Sequence, residues 1–146
     1  MTLLFCSCVL ILFPKISLIM KTGASYQGSG ILVVDDSIEI LEVIKLILEQ
    51  QGYQVFTKDK PDGIVDFVQN NKIGLLLLDV LMPGKNGRDI CKQLKKNPLS
   101  KSLPIILMSA APNYLVDFTR CAADDTLEKP FDYNLLIAKV RSTIAA

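Results

Sequence analysis

Four short apolar runs in this chain each end on a residue able to do chemistry. Ile31–Val34 leads into Asp35 and Asp36, Leu75–Leu78 into Asp79, and Ile105–Met108 into Ser109. A weaker stretch around Leu127 leads into Lys129. Strands that are apolar on consecutive residues are buried on both faces, which is the habit of a parallel sheet held between helices. In open sheets of that kind, ligands bind beyond the carboxyl ends of the strands. If the four runs are neighbouring parallel strands, three carboxylates, a hydroxyl and an amine meet at one edge of one sheet. A cluster that acidic calls for a divalent cation and an incoming phosphoryl group.

The segments between the runs read as helices. Ser37 is a suitable N-cap for a helix running to about Gln51, with Glu39 in its first turn. Ile40, Leu41, Ile44, Ile47 and Leu48 form one broad helical face. Gly52 ends that helix, and Tyr53–Thr57 is the second strand. Pro61 is expected to open a second helix that closes at Asn70-Asn71. A loop over Val80–Asn86 precedes a third helix around Ile90, Cys91 and Leu94, which stops before Pro98. Tyr114, Leu115, Phe118 and Cys121 suit a short fourth helix. A weak fifth strand falls between Asp125 and Glu128, and Leu136, Val140 and Ile144 mark a last helix. Five such units fill 31–146, which is the alternation of the doubly wound α/β class.

Composition narrows the function. A chain of 146 residues is expected to hold one domain with its own core. Its 16 basic and 15 acidic residues form no Lys/Arg stripe, so direct binding of nucleic acid is not expected. Histidine is absent, which excludes His base catalysis and His metal ligation within the chain. Cys6, Cys8, Cys91 and Cys121 have neither CxxC spacing nor disulfide density. Cys91 and Cys121 read as small reduced core residues, which suits the cytoplasm.

Residues 1–29 form an apolar leader and a Gly/Ser-containing flexible joint, and the folded unit is expected over 30–146. No basic segment precedes the run Leu3–Phe13, and no clean cleavage site follows it. Lys15 interrupts the run, so the favoured reading is a misassigned leader with translation starting at Met20. A membrane tether is the alternative.

Taken together, Ile31-Leu-Val-Val-Asp-Asp-Ser37, Leu78-Asp-Val-Leu-Met-Pro83 with Gly87, Ile106-Leu-Met-Ser-Ala110 and Ala123-Asp-Asp-Thr-Leu-Glu-Lys-Pro-Phe131 form a specific set. Residues 30–146, about four-fifths of the chain, resemble the receiver domain of two-component response regulators. The resemblance implies a flavodoxin-like five-stranded sheet of order 2-1-3-4-5 with helices on both faces. Position by position, Asp79 resembles the phospho-acceptor, assisted by Ser109 and Lys129. Asp35 and Asp36 resemble the acidic pair that holds Mg²⁺, joined by Asp79 and the backbone carbonyl of Leu81. A cis peptide between Lys129 and Pro130 is implied too. The implied partners are a sensor histidine kinase or histidine phosphotransfer protein, and a downstream target reached through the fourth helix, fifth strand and fifth helix. One position departs from the family pattern: Thr126 stands where an aromatic switch residue is usual.

The chemistry is consistent with this. A carboxylate can attack phosphorus and carry the group as an acyl phosphate. Phosphoryl transfer depends on positioning and on neutralising oxygens. The expected function is thus a stand-alone signalling phospho-acceptor, not an enzyme acting on other substrates. The alternative is a receiver-fold interaction module that works without phosphorylation. A haloacid-dehalogenase-like phosphatase would need an acid where Leu81 stands, and a dinucleotide carrier would need a Gly-rich loop after the first strand.

Overall fold

The computed structural model describes residues 29–146, so the leader and Met20 readings lie outside the described residues. Strand β1 spans Gly30–Val34 and helix α1 Ile38–Gln50, followed by β2 (Val55–Lys58) and α2 (Ile64–Asn70). Next come β3 (Ile73–Asp79), α3 (Gly87–Lys96), β4 (Ile105–Ser109), β5 (Asp125–Glu128) and α4 (Tyr133–Ala145). The sheet has five parallel strands in the order β2-β1-β3-β4-β5. This is the flavodoxin-like order expected from the resemblance.

Each strand divides its side chains between two cores. Ile31, Val33, Leu75, Leu77, Ile106 and Met108 pack under α1 and α4, whose Leu41, Ile44, Leu48, Leu136 and Val140 are buried against them. Leu32, Val34, Leu76, Leu78, Ile105 and Leu107 pack on the opposite side with Ile64, Ile90, Cys91, Leu94 and Leu115. Both faces of the central strands are dry, which is why their sequence runs apolar without alternation.

Ser37 caps α1 as expected: its Oγ accepts the Ile40 N–H at 3.4 Å. Asn71 closes α2, its side chain donating to the Phe67 carbonyl at 2.8 Å. Three boundaries differ from expectation. Helix α2 starts at Ile64 rather than Pro61, because Gly63 sits at φ 68, a left-handed conformation no helix contains. Strand β2 begins two residues later than expected, because the Tyr53 N–H is still tied to the Leu48 carbonyl of α1 at 3.2 Å. The loop after Asp79 is partly ordered as a small antiparallel hairpin, Leu81–Met82 against Lys85–Asn86.

The expected fourth helix is a correction. Residues 112–121 form two 3₁₀ turns, Pro112–Tyr114 and Phe118–Cys121, with no α-helix between them. The apolar positions sit at helical spacing, but the backbone bonds step back three residues, as from the Tyr114 N–H to the Ala111 carbonyl and from the Ala122 N–H to the Thr119 carbonyl. Neither turn carries a side-chain cap, and Ala122 at φ 59 ends the second. Among the described residues, no helix is long and apolar enough to cross a membrane.

Candidate functional site

Register decides which strand ends meet. Val34 pairs with Leu78, so the next residues, Asp35 and Asp79, emerge side by side. Asp79 pairs with Met108, placing Ser109 one step further on, and Ser109 pairs with Glu128, placing Lys129 one step beyond that. The Lys129 N–H donates to the Ser109 carbonyl at 2.9 Å, extending the ladder past the end of β5. The Lys129–Pro130 bond is cis.

The result is a compact charged cluster. One carboxylate oxygen from each of Asp35, Asp36 and Asp79 lies within 4.8 Å of the other two. Lys129 Nζ donates to Asp79 Oδ1 at 2.7 Å and forms a close ion pair with Asp35 Oδ2. Asp35 divides its oxygens: Oδ1 accepts the Ser37 N–H at 3.0 Å, tying the site to the start of α1. Asp35, Asp79 and Ser109 are buried, whereas Asp36 is exposed and opens the cluster to water.

The two partners of the Lys129–Asp79 pair respond differently. Burial pushes the Asp79 carboxyl above the ordinary Asp value; Lys129 opposes this, while Asp35 and Asp36 reinforce it. Burial works against the Lys129 charge, but the hydrogen bonds it donates to Asp35 and Asp79 prevail and raise the amine above the ordinary Lys value. One ammonium is paired with two carboxylates, Asp35 and Asp79, while the third, Asp36, lies beside them. The site therefore lacks positive charge. Its donors are all oxygen, its geometry is open on the Asp36 side, and among the described residues no Cys joins the cluster, which suits a hard cation that keeps part of its water shell.

The surroundings are fixed by close packing. A Cβ on Gly87 would lie 2.1 Å from the Asp79 carbonyl oxygen, so only glycine lets α3 begin this close to the end of β3. The Gly87 N–H also donates to the Val80 carbonyl at 2.9 Å. Leu81, two residues past Asp79, lies in the hairpin opposite Asn86 with its side chain 45% exposed at the mouth. Ser109 Oγ accepts the Ala111 N–H at 3.1 Å. Thr126 is half-buried on β5 opposite Leu107, and Phe131 packs against the α1/α4 core while Tyr133 is mostly exposed.

Every expected site residue is thus at one sheet edge. Arg88 escaped the sequence reading: its Nη2 donates to the Asp117 carbonyl at 3.3 Å, linking α3 to the first residues after the 3₁₀ turn. No local pattern signals a contact across 29 residues of chain.

A five-stranded parallel sheet of this order, with an acidic cluster and lysine at its carboxyl edge, defines a flavodoxin-like fold with its site at the carboxyl ends of the strands. Residues 31–141 match the family model described as the response regulator receiver domain, and the chain belongs to that family. Such domains are phospho-acceptor signalling modules of two-component systems rather than classical enzymes. The chain is similar to the receiver domain of a signal transduction histidine kinase from Syntrophus aciditrophicus, at 33% identity and TM-score 0.72, covering 80% of this chain and 90% of that one. It is also similar to a Thermotoga maritima response regulator solved with Mg²⁺ and beryllofluoride: 30% identity, TM-score 0.71, 79% of this chain and 98% of that one. A Vibrio cholerae chemotaxis response regulator shares the fold at 24% identity, TM-score 0.72, over 80% of this chain and 98% of that one.

Proposed function

We propose that Asp79 accepts a phosphoryl group from a phosphohistidine on a partner, a sensor histidine kinase or a histidine phosphotransfer protein, in the cytoplasm. The convergence of Asp35, Asp36 and Asp79 within 4.8 Å, bridged by Lys129, carries this reading. The chain has no histidine, so the donor imidazole comes from elsewhere. The two free buried thiols, Cys91 and Cys121, suit a reducing compartment.

In the transfer, an Asp79 carboxylate oxygen forms a bond to phosphorus as the partner's N–P bond breaks and the imidazole leaves with the electron pair. Asp35, Asp36, Asp79 and the Leu81 carbonyl would hold Mg²⁺, which supplies positive charge beside the phosphoryl oxygens when bound. Lys129 keeps a proton on its amine and pairs with the group once it is on Asp79. Ser109 donates its hydroxyl to a phosphoryl oxygen. Asp35 and Asp36 at −2 and a phosphoryl near −2 face +2 and +1, leaving about −1; without the cation the site would be far too negative.

Labelled acetyl phosphate supplied with Mg²⁺ tests this. One phosphoryl group should appear per chain and be absent in Asp79→Asn. Label arriving equally in that variant would sink the assignment, and no label on either would favour an interaction module that works unphosphorylated. Leu81 and Ala111 flank the site without polar side-chain atoms to orient a hydrolytic water. Leu81→Asn should therefore shorten the acyl-phosphate half-life, read by the decay of label.

A further inference from the structure

Cys91 and Cys121 lie 30 residues apart in the chain and meet in the core on the α3 side. Cys91 is on α3 and fully buried; Cys121 ends the second 3₁₀ turn and is 2% exposed. Cys91 Sγ donates to the Cys121 carbonyl at 3.2 Å, and Cys121 Sγ donates to the Phe118 carbonyl at 2.9 Å. The two thiols also act on one another. Burial pushes Cys91 above the ordinary thiol range, and the charge and hydrogen bonding of the Cys121 thiol add to it. Both cysteines are free, and the phosphoryl chemistry uses neither. What separates such a pair from two small apolar residues is that it can be joined by oxidation.

A thiol held as Cys91 is held does not react while it stays enclosed. Cys121 has a route to solvent. Its turn has no side-chain cap, Ala122 after it stands at φ 59, and Val116 shortly before it is 75% exposed. At the start of that turn, Arg88 Nη2 of α3 donates to the Asp117 carbonyl at 3.3 Å. Pieces of 3₁₀ helix have poor hydrogen-bond geometry, and segments of low local stability open without global unfolding.

We propose that Cys91 and Cys121 are a site of reversible oxidation, closing to an intramolecular disulfide when a peroxide reaches Cys121 and reopening by exchange with a dithiol. In the first step Cys121 sulfur attacks one peroxide oxygen. The O–O bond breaks, the departing hydroxide takes the thiol proton and leaves as water, and Cys121 becomes a sulfenic acid. Cys91 sulfur then attacks Cys121 sulfur, and the hydroxyl leaves with the Cys91 proton as a second water. The two thiols lose two electrons and two protons, and one peroxide is reduced to two waters. A dithiol reverses this by becoming a disulfide itself. In a reducing compartment the pair rests as thiols. The link ties α3 to the second turn, and it forms whether or not Asp79 is phosphorylated.

Hydrogen peroxide treatment of the full chain without denaturant tests this in wild type and Arg88→Ala. Trypsin cuts after Arg88, Lys92 and Arg120, so Cys91 and Cys121 fall in separate peptides, and Cys6 and Cys8 fall in a third. Peroxide should join the Cys91 and Cys121 peptides with the loss of two hydrogens, and dithiothreitol should part them. The oxidised chain should melt about 5–10 °C above the reduced one, because closing a 30-residue loop restricts the unfolded chain. Arg88→Ala, with the turn less firmly held, should form the link about three- to tenfold faster. Two thiols recovered free overturn the inference, as do sulfinic or sulfonic acid at Cys121 without a link, or links to Cys6 or Cys8 instead. A link that lowers the melting temperature, or a rate that Arg88→Ala leaves unchanged, overturns it too.

Discussion

The two faces of the sheet are built to different standards. On one, α1 and α4 each run for 13 residues and bury regular apolar stripes. On the other, α2 has 7 residues, α3 has 10, and the remaining cover is the pair of 3₁₀ turns. Both faces exclude water equally well from the strands, since Leu32, Val33, Leu76 and Leu77 are all fully buried. What differs is how much regular backbone hydrogen bonding stands behind the packing. The loops that follow Asp79 and Ser109 belong to the less regular face, so Asp79 ends a regular strand while the segments beyond it have fewer regular backbone bonds.

The largest test of that contrast is a matched pair of truncations. Ile44 of α1 is fully buried, and Ile44→Ala should cost about 3–4 kcal/mol of global stability. Leu115→Ala, at 9% exposure in the irregular segment, should cost about 1–2 kcal/mol, because that segment can collapse around the loss. Equal costs in urea denaturation would show the two faces to be equally rigid.

Next in size is Lys129→Met. Its ammonium is the only cation paired with Asp35 and Asp79 among the described residues, and removing it leaves buried carboxylates uncompensated. A loss of about 3 kcal/mol is expected in chelator, shrinking when Mg²⁺ is added, as read by thermal melts in the two buffers. A loss unaffected by Mg²⁺ would mean that the cation does not enter this cluster.

The smallest effect is in pH. The folded-state value of Asp79 is raised, so its contribution to stability is present below the ordinary carboxylate range and fades as pH rises through the raised value. In chelator, Asp79→Asn should therefore melt above wild type at neutral pH, with the gap closing as the solution is acidified. Lys129 has the same sign at the other extreme: its stabilisation is held up to the ordinary lysine range and lost above the raised value. A gap that widens toward acid would contradict the assigned direction.

Much of the site was legible because strand ends announce themselves. An apolar run followed at once by Asp, Ser or Lys is a weak signal alone, but its repetition at four successive strand ends marks where buried strands reach the sheet's edge. The cap at Ser37 and the close of α2 at Asn71 were legible for a similar reason: both are side-chain bonds to backbone only a few residues away. The fourth helix was misread because Tyr114, Leu115, Phe118 and Cys121 fit a helical face equally well as two turns pressed onto Cys91 and Leu94. Arg88 was missed because its partner is a carbonyl, which any residue carries.

The amino-acid order alone pointed to a buried parallel sheet, and to which residues stand at its ends, because short apolar runs alternate with amphipathic helical stretches. Only the tertiary structure decided that one lysine would serve two aspartates, that α3 would start against the Asp79 carbonyl, and that segment 112–121 would stay short of a helix. Those outcomes turn on register across strands and on packing between elements far apart in the chain. Neither is encoded in any local stretch.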